Sequence, residues 1–207
     1  MNDAGPSLFV KICGLRTERD VAAAVGAGAD AVGFVFAESP RRVGADVAAE
    51  LVRGVPGRVL TVGVFRDQPL EEVRALARGS GVRAVQLHGG EGRSDYAALA
   101  AEGWTLIRGA GVREGRVPSH GEMGEDILLL DAPVPGSGTS WDWTSVDGFG
   151  PGERWLLAGG LNAGNVGAAV AAARPWGVDV SSGVEVSRGV KEPALIAEFV
   201  RAARSAG

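Results

Sequence analysis

Residues 154–185 read RWLLAGGLNAGNVGAAVAAARPWGVDVSSGVE. A β-type run (154–159) passes through a glycine-rich loop into an alanine-rich helical stretch (162–173), then into a second β-type run (177–182) that ends in another glycine-rich turn. That order is a βαβ unit: the helical crossover returns the chain to the same edge of a sheet in the same direction, so the two strands lie parallel. The pattern repeats outward from this stretch. Further β-type runs stand at 8–13 (LFVKIC), 30–36 (DAVGFVF), 58–65 (RVLTVGVF), 83–88 (RAVQLH), 104–108 (WTLIR) and 126–131 (DILLLD), which makes eight. Amphipathic helical candidates lie at 17–27, 45–54, 69–79, 93–102 and 192–205 as well as 162–173. PSHGEMGE after the fifth strand and SVDGFGP after the sixth predict short or degenerate helices in those two intervals.

Eight β-α units recurring about every 25 residues, with no low-complexity linker, predict one α/β domain over residues 1–207, closed as a (β/α)8 barrel. An open doubly wound sheet is the alternative. It calls for a glycine-rich nucleotide loop between the first strand and helix. GAGADA at 26–31 fits such a pattern formally, but it stands where a helix ends and a strand begins, so it reads as a helix stop.

Counting excludes several kinds of chemistry. The 207 residues carry a formal net charge of -4 with 45% apolar residues, which suits a globular protein and opposes binding to nucleic acid or anionic membrane. With a single cysteine, Cys13, no intramolecular disulfide and no Cys-rich metal site can form. The two histidines, His88 and His120, make no HExxH, and neither lysine, Lys11 or Lys191, is followed by Ser or Thr as a P-loop requires. No apolar run approaches the roughly 20 residues of a membrane span, and the start lacks a signal pattern. A cytoplasmic location is expected.

A barrel of this kind works at the carboxyl ends of its strands. Strand side chains alternate, so Lys11 and Cys13 share a face, as do Gln86 and His88, and Asp179 and Ser181, while Ile12, Leu87 and Val180 would meet the helices. Cys13 reads either as a small apolar filler or as a thiolate base or nucleophile, the latter requiring a lowered pKa for which Lys11 is the nearest source of field. Asp131 closes the run ILLL. It reads either as a structural ion pair or as a general acid whose proton is retained near neutral pH by desolvation. AGGLNAGNV at 158–166 and DVSSGVE at 179–185, which include Gly159, Gly160, Ser181, Ser182 and Gly183, can present backbone N–H groups to a phosphate where barrels commonly hold one. Arg41 and Arg42 follow the second strand, and over a barrel mouth a guanidinium there would grip a carboxylate in a two-pronged way.

Together the motifs resemble the phosphoribosylanthranilate isomerase family of tryptophan biosynthesis. The resemblance is carried in order by KICG (11–14), GADAVGFVF (28–36) with SPR (39–41), VGVF (62–65), VQLHG (85–89) and LLLDA (128–132). GSG with WDW (136–143), LAGGLNAGNV (157–166) and GVDVSSGVE (177–185) complete it, so it spans nearly the whole chain. It implies an Amadori rearrangement of N-(5-phosphoribosyl)anthranilate without a cofactor or metal. It implies Asp131 as the acid that opens the furanose ring and Cys13 as the base at sugar C2. Substrate binding falls to Arg41 at the anthranilate carboxylate, to Gly159, Gly160, Ser182 and Gly183 around the phosphate, and to His88, Asp179 and Ser181 as further polar contacts. Arg42 stays open as the alternative clamp. Pro135 stands where a glycine is common and would stiffen the loop after the sixth strand. Two other readings remain at this stage: a related sugar-phosphate barrel isomerase, for which two aspartates would be expected in place of Cys13, and a barrel that only binds a phosphorylated metabolite. The partner in each is a small phosphorylated molecule, and the chain is either a monomer or a homodimer.

Overall fold

The computed structural model describes residues 7–112, 117–132, 142–146 and 153–207. Eight parallel strands run in chain order: β1 (Phe9–Cys13), β2 (Ala31–Val35), β3 (Leu60–Phe65), β4 (Ala84–Leu87), β5 (Thr105–Gly111), β6 (Ile127–Asp131), β7 (Trp155–Leu157) and β8 (Gly177–Val180). Each pairs with the next, and β8 pairs with β1, so the sheet closes into a barrel. Around it lie α1 (Glu18–Ala27), α2 (Ala45–Arg53), α3 (Leu70–Ser80), α4 (Arg93–Ala100), α5 (Val166–Ala173) and α6 (Pro193–Arg204). Among the described residues no α-helix separates β5 from β6 or β6 from β7; a single 3-10 turn, Trp143–Val146, precedes β7. A two-stranded antiparallel hairpin, β9 (Glu185–Ser187) and β10 (Val190–Lys191), stands between β8 and α6.

Side-chain alternation divides the core into two shells. Val10, Ile12, Leu87, Leu128, Leu130 and Val180 belong to the outer shell, against the helices. Cys13, Ala31, Val62, Ala84, Ile107 and Leu129 belong to the inner one. The inner residues are on average smaller because eight strands leave a narrow interior. Asp131, two residues beyond Leu129, and Asp179, next to Val180, therefore turn inward with Cys13 and Lys11.

The ends of the elements follow from local chemistry. Thr17 caps α1 by accepting the Asp20 N–H at 3.1 Å, and Gly28 ends it in the left-handed region at φ 89°. GAGADA is thus the helix stop expected of it. The two largest boundary differences from the sequence reading are the end of β5 and the start of α5. β5 continues past Arg108 through Gly109, Ala110 and Gly111, with Gly109 and Gly111 in register with Leu129 and Asp131. α5 begins at Val166 and not at 162, because Asn162 and Asn165 turn their side chains back on the loop: Asn162 Oδ1 accepts the Gly164 N–H, and Asn165 Oδ1 accepts the Asn162 N–H, each at 2.8 Å.

Candidate active site

Lys11 sets the floor of the site. It is fully buried and donates to Asp179 Oδ1 at 2.7 Å, a strand-to-strand pair fixed by the register of β1 and β8. Cys13 is two residues further along β1, and a Cβ on its partner Gly33 would stand 2.9 Å from the sulfur. The thiol therefore occupies room that Gly33 leaves inside the barrel. Asp131 ends β6, two strands from β8, and lines an open pocket of about 350 Å³ together with Gly159, Gly160, Asp179, Ser181 and Ser182. Cys13 lies beyond that lining, on the far side of Asp179, yet the Lys11–Asp179 pair acts electrostatically on both the thiol and the carboxyl.

Burial dominates the two titrating groups. It raises the Asp131 carboxyl to about 6, against an opposing backbone N–H from Ala132 at 2.7 Å. It also pushes the Cys13 thiol upward, and the pull of Lys11 and Lys191 does not overcome it. This corrects the sequence expectation of a lowered thiol pKa. Lys11 is close enough to act, but its charge is matched by Asp179, whose carboxylate works on the thiol in the opposite sense. For Lys11 burial favours the neutral amine, while Asp179 and Cys13 outweigh it and hold the ammonium above its ordinary value.

Over the β1 and β8 side of the mouth lies a second charged cluster. Arg41 donates Nε and Nη2 to Glu185 at 2.6 and 2.9 Å, and its stem lies on Gly14, where a Cβ would meet Arg41 Cδ at 2.7 Å. Lys191 is buried and donates to Glu185 Oε1 at 2.8 Å, to the Ser181 carbonyl at 2.9 Å and to Ser181 Oγ at 3.1 Å. Burial alone would raise the Glu185 carboxyl, but Arg41, Lys191 and the Gly189 N–H hold it down to about 2. Arg42 instead pairs on the surface with Glu38 at 3.3 Å. Arg41 is the arginine at the mouth.

The two glycine-rich ends meet. Gly159 and Gly160 have φ of 86° and 67°, a region costly for other residues, and Asn165 Nδ2 donates to the Gly160 carbonyl at 2.9 Å. A Cβ on Gly183 would stand 1.8 Å from the Leu161 carbonyl oxygen, so the loop after β7 and the turn Ser182–Val184 touch backbone to backbone. His88 follows β4 and approaches Asp131, Nε2 to Oδ2 at 3.6 Å. Burial lowers its pKa to about 4, so the ring is neutral at pH 7 and the contact is dipolar, not an ion pair.

Residues 10–202 match the family model of N-(5'-phosphoribosyl)anthranilate (PRA) isomerase. The chain belongs to that family. It is 45% identical to the N-(5'-phosphoribosyl)anthranilate isomerase of Desulforudis audaxviator, over 96% of this chain and 98% of that protein. Among solved structures, TrpF from Jonesia denitrificans superposes with a TM-score of 0.87 at 42% identity, over 97% of this chain and 98% of its own. A phosphoribosyl anthranilate isomerase in complex with reduced 1-(o-carboxyphenylamino)-1-deoxyribulose 5-phosphate does so at 0.80 and 34%, over 96% and 99%.

In this phosphoribosylanthranilate isomerase family member, all ten residues singled out from sequence stand at or around the carboxyl end of the barrel. Asp131, Gly159, Gly160, Asp179, Ser181 and Ser182 line the pocket, Gly183 braces it, His88 approaches Asp131, and Cys13 and Arg41 lie toward β1. Pro135 lies outside the described residues. Sequence reasoning missed Glu185, which closes the motif GVDVSSGVE but was given no role, and Lys191, which lies beyond it as an ordinary surface-type charge. It also missed Gly33 and Gly109, whose signal is an inward-facing glycine beside a polar strand end.

Proposed function

We propose that this chain converts N-(5'-phosphoribosyl)anthranilate to 1-(o-carboxyphenylamino)-1-deoxyribulose 5-phosphate, with Asp131 as general acid and Cys13 as general base. The observation that carries the assignment is the inward placement of a carboxyl held protonated to about pH 6 and a thiol three strands past it, with Lys11–Asp179 between them. Asp131 gives its proton to the ring oxygen as the C1–O bond breaks, and the nitrogen lone pair forms the iminium. The Cys13 thiolate takes the C2 proton, leaving an enolamine whose tautomer is the ketone. A raised thiol pKa leaves little thiolate at neutral pH but makes it a stronger base, which suits removal of a carbon-bound proton.

Arg41 is the carboxylate clamp of this reading in preference to Arg42, because Glu185 holds its fork over Gly14 while Arg42 faces solvent. Two of its donors already serve Glu185, and Cys13 is near enough to act electrostatically on the guanidinium. The phosphate falls to Gly159, Gly160, Ser182 and Gly183, whose loops meet where Gly183 packs on the Leu161 carbonyl with no room for a Cβ. Ser181, Asp179 and His88 contact the sugar. A soluble phosphorylated metabolite as substrate suits the cytoplasmic location expected from sequence, and either a monomer or a homodimer is compatible with a site built within one chain.

The test is steady-state turnover of freshly prepared substrate, followed by the loss of its anthranilate-type fluorescence. Conversion that depends on both Asp131 and Cys13 supports the reading. Absence of conversion by the intact chain, with binding of the phosphorylated product retained, would reduce it to a binding barrel.

A further inference from the structure

The ring of His88 lies across a strand. The register of β4 on β5 pairs Leu87 with Arg108, which sets His88 beside Gly109. A Cβ on Gly109 would stand 2.5 Å from His88 Nδ1 and 2.7 Å from its Cγ, so only glycine leaves room for the imidazole to cross β5 toward Asp131 on β6. Behind the ring, Gln86 is 2% exposed and brings Nε2 to 3.5 Å from His88 Nδ1. Among the described residues, His88 Nε2 and Gln86 Oε1 are buried without a hydrogen-bond partner.

A carboxamide NH2 has no lone pair to offer, so facing it His88 Nδ1 must accept. A neutral imidazole carries one N–H, which then sits on Nε2, 3.6 Å from Asp131 Oδ2. Asp131 Oδ1 already accepts the Ala132 N–H at 2.7 Å, which leaves Oδ2 as the oxygen that bears the acid proton. The orientation matters. With an N–H facing it, the Oδ2 hydroxyl cannot bond to the ring, stays available to the pocket, and gains a donor once it has become a carboxylate. The opposite tautomer would aim a lone pair at the hydroxyl and draw the proton away from substrate.

We propose that Gln86 and Gly109 are positioning residues for the acid: Gly109 opens the slot that lays His88 across β5, and Gln86 fixes its Nε2–H tautomer so that an N–H faces Asp131. The inference rests on the assignment of Asp131 as the acid. The other charged groups that act on this pair are Lys11 of β1, Asp179 of β8 and, toward His88, Arg66 after β3. All three are unchanged when Gln86 is replaced.

Long-range proton–nitrogen correlation spectra of the histidine rings test this directly, since the chain has only two histidines and His120→Gln assigns them. At pH 7 the free protein should show His88 as the neutral Nε2–H form, and Gln86→Leu should shift it toward Nδ1–H or a mixture. An Nδ1–H or imidazolium His88 in the unmodified protein overturns the proposal without recourse to any variant, as does an unchanged tautomer in Gln86→Leu. In turnover, Gln86→Leu should lower kcat roughly tenfold, a fraction of what the acid itself contributes. KM should stay nearly constant, and the acidic limb of the pH profile should move upward, because a hydroxyl bonded to the ring gives up its proton less readily. A limb that stays in place while Asp131→Asn is inactive removes Gln86 from the mechanism and leaves the acid assignment standing. An active Asp131→Asn removes the acid assignment instead.

Discussion

Burial moves Asp131 and Cys13 in the same direction, with opposite consequences for how much of each is ready to react. Raised to about 6, the carboxyl keeps a useful protonated fraction near neutrality, whereas the thiol, pushed above its usual range, is mostly protonated. In the proposed mechanism the competent form, protonated Asp131 with Cys13 thiolate, has the same total charge as its inactive counterpart and follows the same pH dependence. Below about pH 6 both groups hold protons and the base is lost; above the thiol pKa both are ionised and the acid is lost. A profile of kcat/KM against pH should therefore fall on the acid side of about 6 and stay level through neutrality into the alkaline range. A rate that kept rising tenfold per pH unit from 6 to 8 would remove Asp131 as a titrating acid. Asp131→Asn should lose roughly two to four orders of magnitude in kcat, the usual scale of general acid catalysis. Both groups stood out in sequence, Cys13 by alternation with Ile12 and Asp131 as the carboxylate closing the run ILLL, while their roles as base and acid came from the family resemblance. The sign of the thiol shift was not legible there, because it depends on how deeply the closed barrel buries the sulfur and on Asp179 matching Lys11 across 168 residues of chain.

The loops and the hairpin that carry the proposed binding groups are tied to one another. Glu185 on β9 holds Arg41 from the loop after β2 by two hydrogen bonds, and Lys191 on β10 ties Glu185 to the Ser181 carbonyl. Glu185→Gln weakens this hold by replacing a charge-assisted fork with neutral contacts, so KM should rise about tenfold with a smaller change in kcat, near the scale of a lost charged hydrogen bond. Arg41→Ala should raise KM more, and Arg42→Ala should leave it close to unchanged; the reverse order in steady-state kinetics would place the clamp one residue later. Gly183→Ala forces the Leu161 carbonyl and the turn Ser182–Val184 apart, and a displacement near 1 Å at a binding group costs up to about a hundredfold. Titration with inorganic phosphate, expected to weaken in step with substrate, separates this from a global loss of fold. The glycine loops were legible because a strand ending in such a run has few other uses. The hairpin was not, since VSRGV has no strong turn or strand pattern, and its role comes from ion pairs between residues 144 positions apart.

At the scale of the whole barrel, the site weakens the fold it occupies. The Asp131 pKa rises from 3.8 in the unfolded chain to about 6, so the unfolded state ionises first and stability falls as pH rises through that window. The full cost, roughly 2–3 kcal/mol as an upper figure from a shift of that size, is present above pH 6. His88 works oppositely: lowered from 6.5 to about 4, it favours the unfolded state as pH drops through that range. The two nearly offset, so the unmodified chain should unfold with a nearly constant midpoint between pH 4 and 6. Asp131→Asn should be more stable than the unmodified chain at pH 8, equal to it near pH 3, and should lose stability as pH falls from 6.5 to 4. Thermal unfolding across that range checks all three. The eightfold architecture was legible because eight β-type runs recur at an even spacing and six of them are followed by a helical stretch with its own periodicity. What one sequence does not display is which inward groups approach one another across the closed sheet, since closure fixes neighbours such as His88 and Asp131 only once register is set.

Turnover by Cys13→Ala, measured beside its affinity for the phosphorylated product, tests the pairing of thiol and carboxyl most directly. The account predicts that product still binds within a few-fold of the unmodified chain while conversion falls to background. Conversion at near the unmodified rate would contradict it, and would mean that some other group removes the sugar C2 proton.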